Sequence, residues 1–289
     1  MKNNILVTGG AGFIGTNLIK RLITLNYKIY SLDDYSTGSI KNEHVSDLVT
    51  YIKGDIDEIR NIDGALFDRC FHLAAQSRVQ PSFENPKESF KTNVHGTLKV
   101  MEWAKKNNVK VIYAGSSSKH YNPSDSPYAM TKFQGEEICK LYREHYNVDA
   151  QIARFYNVYG PSEPIDIKYG NVIGIWRAKL ISGDPLPIVG DGRQRRDFTH
   201  VDDIVDGIIK ISESNLYHDD AWELGTGVNY SINELFQMFK KKFNVNCIHI
   251  DDQVGNYRKT IRINDDMLEK LNWSPKDRLY NYIQNLKIL

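Results

Sequence analysis

VTGGAGFIG, Val7 to Gly15, is the stretch that decides the fold of this chain of 289 residues. It follows the β-branched run NILVT and opens the amphipathic segment GFIGTNLIKRLITLN, so a predicted strand leads through a glycine-rich turn into a predicted helix. Gly9, Gly12 and Gly15 satisfy a GxxGxxG spacing, and Gly10 in place of Gly9 gives GxGxxG. In either register the glycines let the backbone approach a pyrophosphate closely, and the helix N-terminus supplies free N–H groups.

The first half of the chain alternates short β-branched runs with longer amphipathic segments. The predicted strands are NILVT (4–8), KIYSLD (28–33), VTYIKG (49–54), RCFHLA (69–74) and VKVIYAG (109–115). This alternation predicts an α/β fold of Rossmann type, a doubly wound parallel sheet with helices on both faces. We expect a nucleotide-binding domain at 1–170 and a smaller C-terminal α/β substrate lobe at 171–289, partly interleaved with the first.

An acidic residue ends the second predicted strand. Asp33 lies 18 residues after Gly15, where a carboxylate accepts hydrogen bonds from ribose hydroxyls and repels a 2′-phosphate. The combination of glycine loop and acid therefore predicts a dinucleotide cofactor, NAD rather than NADP.

The bulk composition excludes several other classes of function. The chain has 37 basic and 36 acidic residues, so no basic excess favours nucleic acid. Its three cysteines lack metal-ligand spacing, and an odd number favours a reducing compartment. No apolar stretch approaches the ~20 residues that span a bilayer, and the N-terminal apolar run is too short for a signal peptide. We expect a soluble cytoplasmic protein that binds no nucleic acid, membrane or metal.

The stretch SSSKHYNPSDSPYAMTK, Ser116 to Lys132, places a tyrosine and a lysine four residues apart at a predicted helix start. Tyr128 and Lys132 therefore share one helix face, although a capped helix start with a solvated lysine would give the same pattern. A neighbouring ammonium and a positive nicotinamide ring would lower the pKa of a phenol from its usual value of about 10. Tyr128 could then take a proton from a substrate hydroxyl while NAD takes hydride from the same carbon, and a nearby serine would hold that hydroxyl.

With these residues in place, the chain resembles the extended short-chain dehydrogenase/reductases that modify nucleotide sugars, and most of all the UDP-glucose 4-epimerase branch. The resemblance covers nearly the whole chain and rests on nine motifs that occur in the family's order. They are TGGAGFIG, LDDYSTG, GDI (54–56), HLAAQ (72–76), NVHGT (93–97), SSS, YAMTK, RFYNVYGP (154–161) and GDGRQRRDFTHVDD (190–203).

The resemblance implies site residues position by position. Tyr128 would be the base, Lys132 would bind the nicotinamide ribose, and Ser117 would assist, a choice made by counting back from HYN, with Ser118 as the alternative. The implied cofactor contacts are Gly9, Gly12, Phe13, Ile14, Gly15, Asp33, Asp34, Asp55, Ile56, Leu73, Ala74, Ala75, Asn93, Tyr128, Lys132 and Tyr156. The implied substrate contacts are Ser117, Ser118, Asn157, Asn171, Arg196 and Arg258. The resemblance also implies a homodimer formed through the helices at 88–108 and 128–146.

Some of these residues have a structural alternative. Arg196 and the neighbouring arginines fit a solvated turn equally well, and Asn157 could bond its own turn. The family's C-terminal RxGD reads QVGN here, Gln253 to Asn256, so Arg258 or Arg262 would have to substitute for its diphosphate-binding arginine, and the spacing of neither matches the family's.

The resemblance also narrows the reaction. Ser118 and Lys119 stand where the 4,6-dehydratases carry an Asp-Glu pair, so the residues for eliminating water are missing. What remains suits 4-epimerisation, in which hydride leaves C4, the 4-keto intermediate turns over, and hydride returns to the opposite face. A 4,6-dehydratase, a 4-keto reductase and a non-catalytic dinucleotide sensor are the alternatives. One departure concerns the sugar side, since only nine residues separate Ser118 from Tyr128.

Overall fold

The computed structural model describes residues 4–288. In chain order its strands are β1 (Asn4–Thr8), β2 (Lys28–Asp33), β3 (Val49–Lys53), β4 (Arg69–His72), β5 (Lys110–Ser116), β6 (Ala150–Phe155), β7 (Val158–Tyr159), β8 (Leu186–Val189), β9 (Arg195–Asp197), β10 (Thr199–His200), β11 (Trp222–Leu224), β12 (Asn229–Ser231) and β13 (Cys247–Ile250). The α-helices are α1 (Phe13–Thr24), α2 (Val79–Glu84), α3 (Pro86–Phe90), α4 (Gly96–Asn107), α5 (Pro127–Tyr146), α6 (Val172–Ser182), α7 (Val201–Glu213), α8 (Ile232–Phe243), α9 (Asp266–Leu271) and α10 (Leu279–Asn285).

Seven strands form one sheet in the order β11-β6-β5-β4-β1-β2-β3. The pairings of β1 with β2 and β4, of β2 with β3 and of β4 with β5 are all parallel. The chain runs from β1 to β2 and β3 on one side and then crosses to β4 on the other, which creates a topological switch point between β1 and β4. Ligands of such sheets bind beyond the carboxyl ends of the strands at this point. The predicted Rossmann-type α/β fold is confirmed.

The described chain folds as two compact units that alternate along the sequence. The first unit contains the chain up to Arg154 together with residues 205–222, and the second contains residues 155–204 and the chain from Glu223 onward. The predicted functional division into 1–170 and 171–289 remains a prediction.

Each unit has its own apolar core. In the first unit, Val100 and Met101 of α4 and Cys139 of α5 pack with Val111 of β5. In the second, Trp176 of α6 packs edge-on against Phe239 of α8, with 5.2 Å between ring centroids. No α-helix within residues 4–288 combines the length and apolar character that a bilayer crossing requires.

The helix predicted at 88–108 is interrupted in the structure. Between α3 and α4 the backbone forms one π-helical turn over Lys91–His95, a feature that occurs often at functional sites. The turn carries Asn93, whose side chain is almost fully buried. The helix predicted at 128–146 is observed as α5.

Candidate active site

The glycine loop after β1 is closely packed against the chain that follows β4. Gly9 has a φ of +75°, in the left-handed region, and a Cβ built on it would lie 2.7 Å from the Ala74 amide nitrogen. A Cβ on Gly15 would lie 2.2 Å from the Gly9 carbonyl oxygen. Neither contact is possible for a real side chain, so glycine at these two positions is required by the fold of the loop itself.

The N-terminus of α1 is open toward this loop. Its N-cap residue, Gly12, provides no side-chain cap, and the first helical turn contains no acidic residue. The first N–H groups of a helix have no intrahelical partner and carry the positive end of the helix dipole. Phe13 and Ile14 belong to this turn, so the predicted phosphate cradle has suitable donors and no internal anion that competes for them.

Asp33, the last residue of β2, stabilises the glycine loop through its carboxylate. One carboxylate oxygen accepts a hydrogen bond from the Ala11 amide at 2.9 Å, and the other accepts one from the Tyr35 amide at 2.8 Å. Burial raises the pKa of Asp33, and these two hydrogen bonds oppose that rise. Each carboxylate oxygen keeps a lone pair for a ribose hydroxyl. Asp34, by contrast, is exposed and caps the amide and hydroxyl of Ser36.

The segment after β4 is fixed by Asn93. Its side-chain oxygen accepts a hydrogen bond from the Gln76 amide at 2.8 Å, and its amide group donates to the Gln76 carbonyl at 2.9 Å and to Thr131 Oγ1 at 3.0 Å. Asn93 thereby positions the Leu73–Gln76 segment, which includes the predicted contacts Ala74 and Ala75. Its own predicted contact with the cofactor remains a prediction.

The two residues predicted to flank the adenine lie after β3. Asp55 caps a short 3-10 helix through the Asp57 amide and forms an ion pair with Lys91 at 2.8 Å. Hydrogen bonding to Lys91 lowers the pKa of Asp55. Ile56 is buried, and Gly96 packs against its side chain.

The Tyr128 hydroxyl contacts Ser116, the residue before the predicted Ser117. The Tyr128 hydroxyl donates to Ser116 Oγ at 3.1 Å, and Ser118 Oγ donates to the same oxygen at 2.9 Å. β5 runs through Ser116, and Ser117 begins a 3-10 turn. Ser117 and Ser118 remain the predicted serines, and the contact with Tyr128 makes Ser116, the last residue of β5, a further candidate.

Lys132 is buried on the same helix as Tyr128. Its Nζ donates to the Ala114 carbonyl at 2.6 Å and lies 4.8 Å from the centroid of the Tyr113 ring. Burial lowers the pKa of Lys132 to about 8, against the opposing negative charge of Glu136.

Burial raises the pKa of Tyr128, while the hydrogen bond with Ser116 and the positive charge of Arg78 oppose the rise. The lowering expected from the neighbouring ammonium together with a positive nicotinamide ring remains a prediction. Arg78 had no signal in the sequence that marked it as a partner of Tyr128.

Two predicted substrate residues of the second unit are engaged in its fold. Asn157 has a φ of +22° and donates to the Asp197 carbonyl at 3.1 Å and to Thr260 Oγ1 at 3.0 Å. Asn171 is the N-cap of α6, where its side-chain oxygen accepts from the Gly174 amide at 2.8 Å. Its amide group donates to the Val158 carbonyl at 2.8 Å.

The arginines of the second unit also have partners. Arg196 donates to its neighbour's carbonyl and to the side-chain oxygen of Asn256, the last residue of QVGN. Arg258 is exposed and forms an ion pair with Asp191 at 2.9 Å. Tyr156, predicted to contact the cofactor, is buried and donates to Glu223 at 2.5 Å. The structure thus gives each predicted residue of this unit a fold-internal contact, and their binding roles remain predictions.

Similarity to known proteins extends over the whole of this arrangement. A family described as the NAD dependent epimerase/dehydratase family matches residues 5–225. The UDP-glucose 4-epimerase of Mycolicibacterium smegmatis is 32% identical over 300 residues, covering 94% of this chain and 93% of the relative. The solved UDP-glucose 4-epimerase of Thermotoga maritima with UDP-glucose has a TM-score of 0.88 and 28% identity, covering 97% of this chain and 96% of that one.

A third similar protein is the UDP-N-acetylglucosamine 4-epimerase of Methanobrevibacter ruminantium M1, solved in complex with UDP-N-acetylmuramic acid. Its TM-score is 0.87 and its identity 29%, over 98% of this chain and 97% of that one. Because the family match spans most of the chain and the bacterial relative matches it nearly end to end, this protein belongs to the NAD-dependent epimerase/dehydratase family.

Proposed function

We propose that the protein is an NAD-dependent nucleotide-sugar 4-epimerase that acts on UDP-hexoses of the UDP-glucose or UDP-N-acetylglucosamine type. The observation that carries the proposal is the hydrogen bond between the Tyr128 hydroxyl and Ser116 Oγ, one helical turn from the buried Lys132. The names of the relatives support the nucleotide and the reaction. A protein that only sensed dinucleotide would need no such buried proton-transfer group.

The first unit fits the cofactor that its family uses. The uncapped start of α1, the glycines that admit no Cβ and the buried Asp33 carboxylate form a cradle for a pyrophosphate and a ribose. When bound, NAD supplies a reversible acceptor for the hydride of the sugar carbon. Gly9, Gly12, Gly15 and Asp33 would hold it, and Lys132 would bind its nicotinamide ribose.

The proton chemistry belongs to this chain's own residues. Tyr128 takes the proton of the C4 hydroxyl as a ketone forms there, and returns it when the ketone is reduced from the other face. In the structure, Ser116 Oγ accepts a hydrogen bond from the Tyr128 hydroxyl. With substrate bound, the Ser116 hydroxyl would hold the C4 oxygen beside the phenol. Because burial raises the pKa of Tyr128, a positive charge from the bound cofactor would be needed to bring the phenolate within reach of neutral pH.

The residue after Ser118 argues against a 4,6-dehydratase. Lys119 forms an ion pair with Glu137 at 2.6 Å and lies 3.7 Å from the Phe133 ring centroid. An ammonium held in this way supplies no carboxylic acid or carboxylate for elimination of water. Sugar C5 and C6 would therefore remain unchanged during the reaction.

The second unit is proposed to contribute the contacts to the nucleotide diphosphate. Arg196 is the main candidate, because the resemblance places the diphosphate-binding arginine there and Asn256 orients its guanidinium. Arg258 is a secondary candidate for the diphosphate, and Asn157 and Asn171 are secondary candidates for contacts to the sugar nucleotide, since their polar groups already have structural partners.

We also propose that the protein is a cytoplasmic homodimer. The cysteines of the described chain are free thiols, and Cys70 and Cys139 are buried, which suits a reducing compartment. The expected dimer contacts are the helices at 88–108 and 128–146, where Leu98 and Leu141 are exposed. Sedimentation velocity tests the dimer, and replacing Leu98 and Leu141 with serine should produce monomers.

Proton NMR of the protein with UDP-glucose and with UDP-N-acetylglucosamine, with and without added NAD, tests the function. We expect new anomeric and H4 signals of the C4 epimer and no keto product. A 4-keto-6-deoxy signal would contradict the epimerase in favour of a dehydratase. Reaction only with added reduced cofactor would identify a reductase, and no turnover despite tight NAD binding would support a sensor.

A further inference from the structure

Helix α5 has two charged residues on its buried face. Its buried positions follow helical spacing through Ala129, Lys132, Glu136 and Cys139, and Glu136 is 0% exposed. Full burial of a carboxylate is costly unless it is paired and hydrogen-bonded. Lys132 has a role in the proposed function, which leaves Glu136 as a buried charge without one.

Glu136 contacts the strand that carries the catalytic serine. Its Oε1 accepts a hydrogen bond from the Ser116 amide at 3.3 Å. The contact depends on Gly115, because a Cβ at that position would lie 2.7 Å from the same oxygen. The end of β5 is thus fixed to α5 by a bond between the serine backbone and Glu136, while the serine side chain meets Tyr128.

The other carboxylate oxygen is held by Arg154. Oε2 accepts from Arg154 Nε at 3.0 Å and from Nη2 at 2.7 Å, and the remaining guanidinium donors reach Asp220 at 2.6 and 2.9 Å. Arg154 is 1% exposed, whereas the Asp220 side chain is 50% exposed and also pairs with Lys140. The buried carboxylate therefore has a fixed position and orientation.

Glu136 also acts electrostatically on both proposed catalytic groups. Its negative charge opposes the lowering of the Lys132 pKa by burial, and it raises the pKa of Tyr128. Several titratable and charged groups surround Glu136, Tyr128 and Lys132. They are Arg78, Tyr113, Cys139, Arg154 and His72, with Asp220 and Lys140 beyond Arg154.

We propose that Glu136 is a positioning residue of the epimerase, which fixes Ser116 through its backbone amide and sets the charge balance of the Tyr128–Lys132 pair. The inference rests on the proposed function. It assigns the ion pair with Arg154 a catalytic purpose beyond holding α5 to β6. A purely structural ion pair would affect unfolding and leave the titration of Tyr128 unchanged.

Two substitutions of Glu136 test its electrostatic effect and its positioning of Ser116 separately. Glu136→Gln keeps the length and removes the charge, so both pKa values fall and the whole profile of kcat against pH should move down by about one pH unit. Glu136→Asp keeps the charge and shortens the reach to Ser116, so kcat should fall several-fold with the profile in place. Glu137→Gln is the matched control, since Glu137 lies one residue along, is exposed and forms ion pairs with Lys119 and Lys140.

A second readout does not depend on turnover. The tyrosinate absorbance of Tyr128 in the NAD-loaded protein is obtained by subtracting the Tyr128→Phe titration in the same background. Glu136→Gln should shift this titration to lower pH, and Glu137→Gln should not. If no sugar is epimerised, the proposed function fails while this titration still decides the role of Glu136.

Equal titrations of Tyr128 in wild type and Glu136→Gln would overturn the electrostatic part, and wild-type kcat in Glu136→Asp would overturn the positioning part. If Glu136→Gln does not fold, the pair is removed together in Glu136→Gln/Arg154→Met, since buried ion pairs are often replaced without loss of stability. That double variant should shift the Tyr128 titration in the same direction but by less, because the Arg154 cation is lost with the carboxylate, and an unshifted titration there would also overturn the proposal.

Discussion

The starts of α5 and α6 each carry a residue that the sequence marks as functional, and the structure uses the two residues differently. At α5, Ser126 caps the helix through the Ala129 amide at 3.0 Å, and Ser82 accepts from the Tyr128 amide at 3.0 Å. At α6, Asn171 is itself the cap. The side chain of Tyr128 therefore does not cap its helix, whereas the polar atoms of Asn171 hold the start of α6. The side chain of a residue at a helix start is available for chemistry when a neighbouring residue accepts the hydrogen bonds of the backbone N–H groups there.

The strongest test of this comparison removes the Tyr128 hydroxyl. Tyr128→Phe should lower kcat about 10²- to 10⁴-fold, the range for loss of a general acid–base group, and should leave the melting temperature and NAD binding nearly unchanged. Turnover of UDP-glucose by NMR and thermal unfolding measure the two effects. Tyr27→Phe is the control, because its hydroxyl meets exposed Glu213. Near-normal turnover in Tyr128→Phe would remove the base from the mechanism.

A sharper test distinguishes the two neighbouring serines. Ser116→Ala should reduce kcat by about ten- to a hundredfold, because one hydrogen bond to the reacting oxygen and to Tyr128 is lost. Ser117→Ala should have a much smaller effect, since the structure places Ser116 against the phenol. The reverse order would support Ser117, the serine that the family resemblance implies.

The start of α1 extends the comparison to a helix without any side-chain cap. A Cβ on Gly12 would have its nearest atom, the Gly9 carbonyl oxygen, at 3.3 Å, whereas a Cβ on Gly15 would lie 2.2 Å from that oxygen. Gly12→Ala should therefore keep the melting temperature of the cofactor-free protein and weaken NAD binding about tenfold. Gly15→Ala should lower the melting temperature before any cofactor is added. Calorimetric titration with NAD and thermal unfolding separate the two, and equal behaviour of the variants would contradict the cradle.

The sequence predicted the structure best where the local pattern of strands, turns and helices agrees with the order of the strands in the sheet. The glycine loop, Asp33 and the shared face of Tyr128 and Lys132 follow from strand, turn and helix patterns, and the structure places them accordingly. The contact of Ser116 with Tyr128 was not predicted, because it depends on how the end of β5 packs against α5. The ion pair of Glu136 with Arg154 could not be predicted, since the two residues are 18 positions apart and meet only through tertiary packing.

The smallest expected effect tests the other half of the comparison, the start of α6. Asn171→Ala should lower stability by about 1 kcal/mol, the usual cost of losing an N-cap, and should raise KM for UDP-glucose only slightly, because the polar atoms of Asn171 are engaged at the helix start. Asn171→Ser should recover much of that stability, because a serine hydroxyl can still accept from the Gly174 amide. A rise in KM in both variants with unchanged stability would mean that Asn171 binds substrate despite its capping role. In that case a side chain that caps a helix can also bind a ligand. Tyr128 and Asn171 would then differ only in how many hydrogen-bond partners each has.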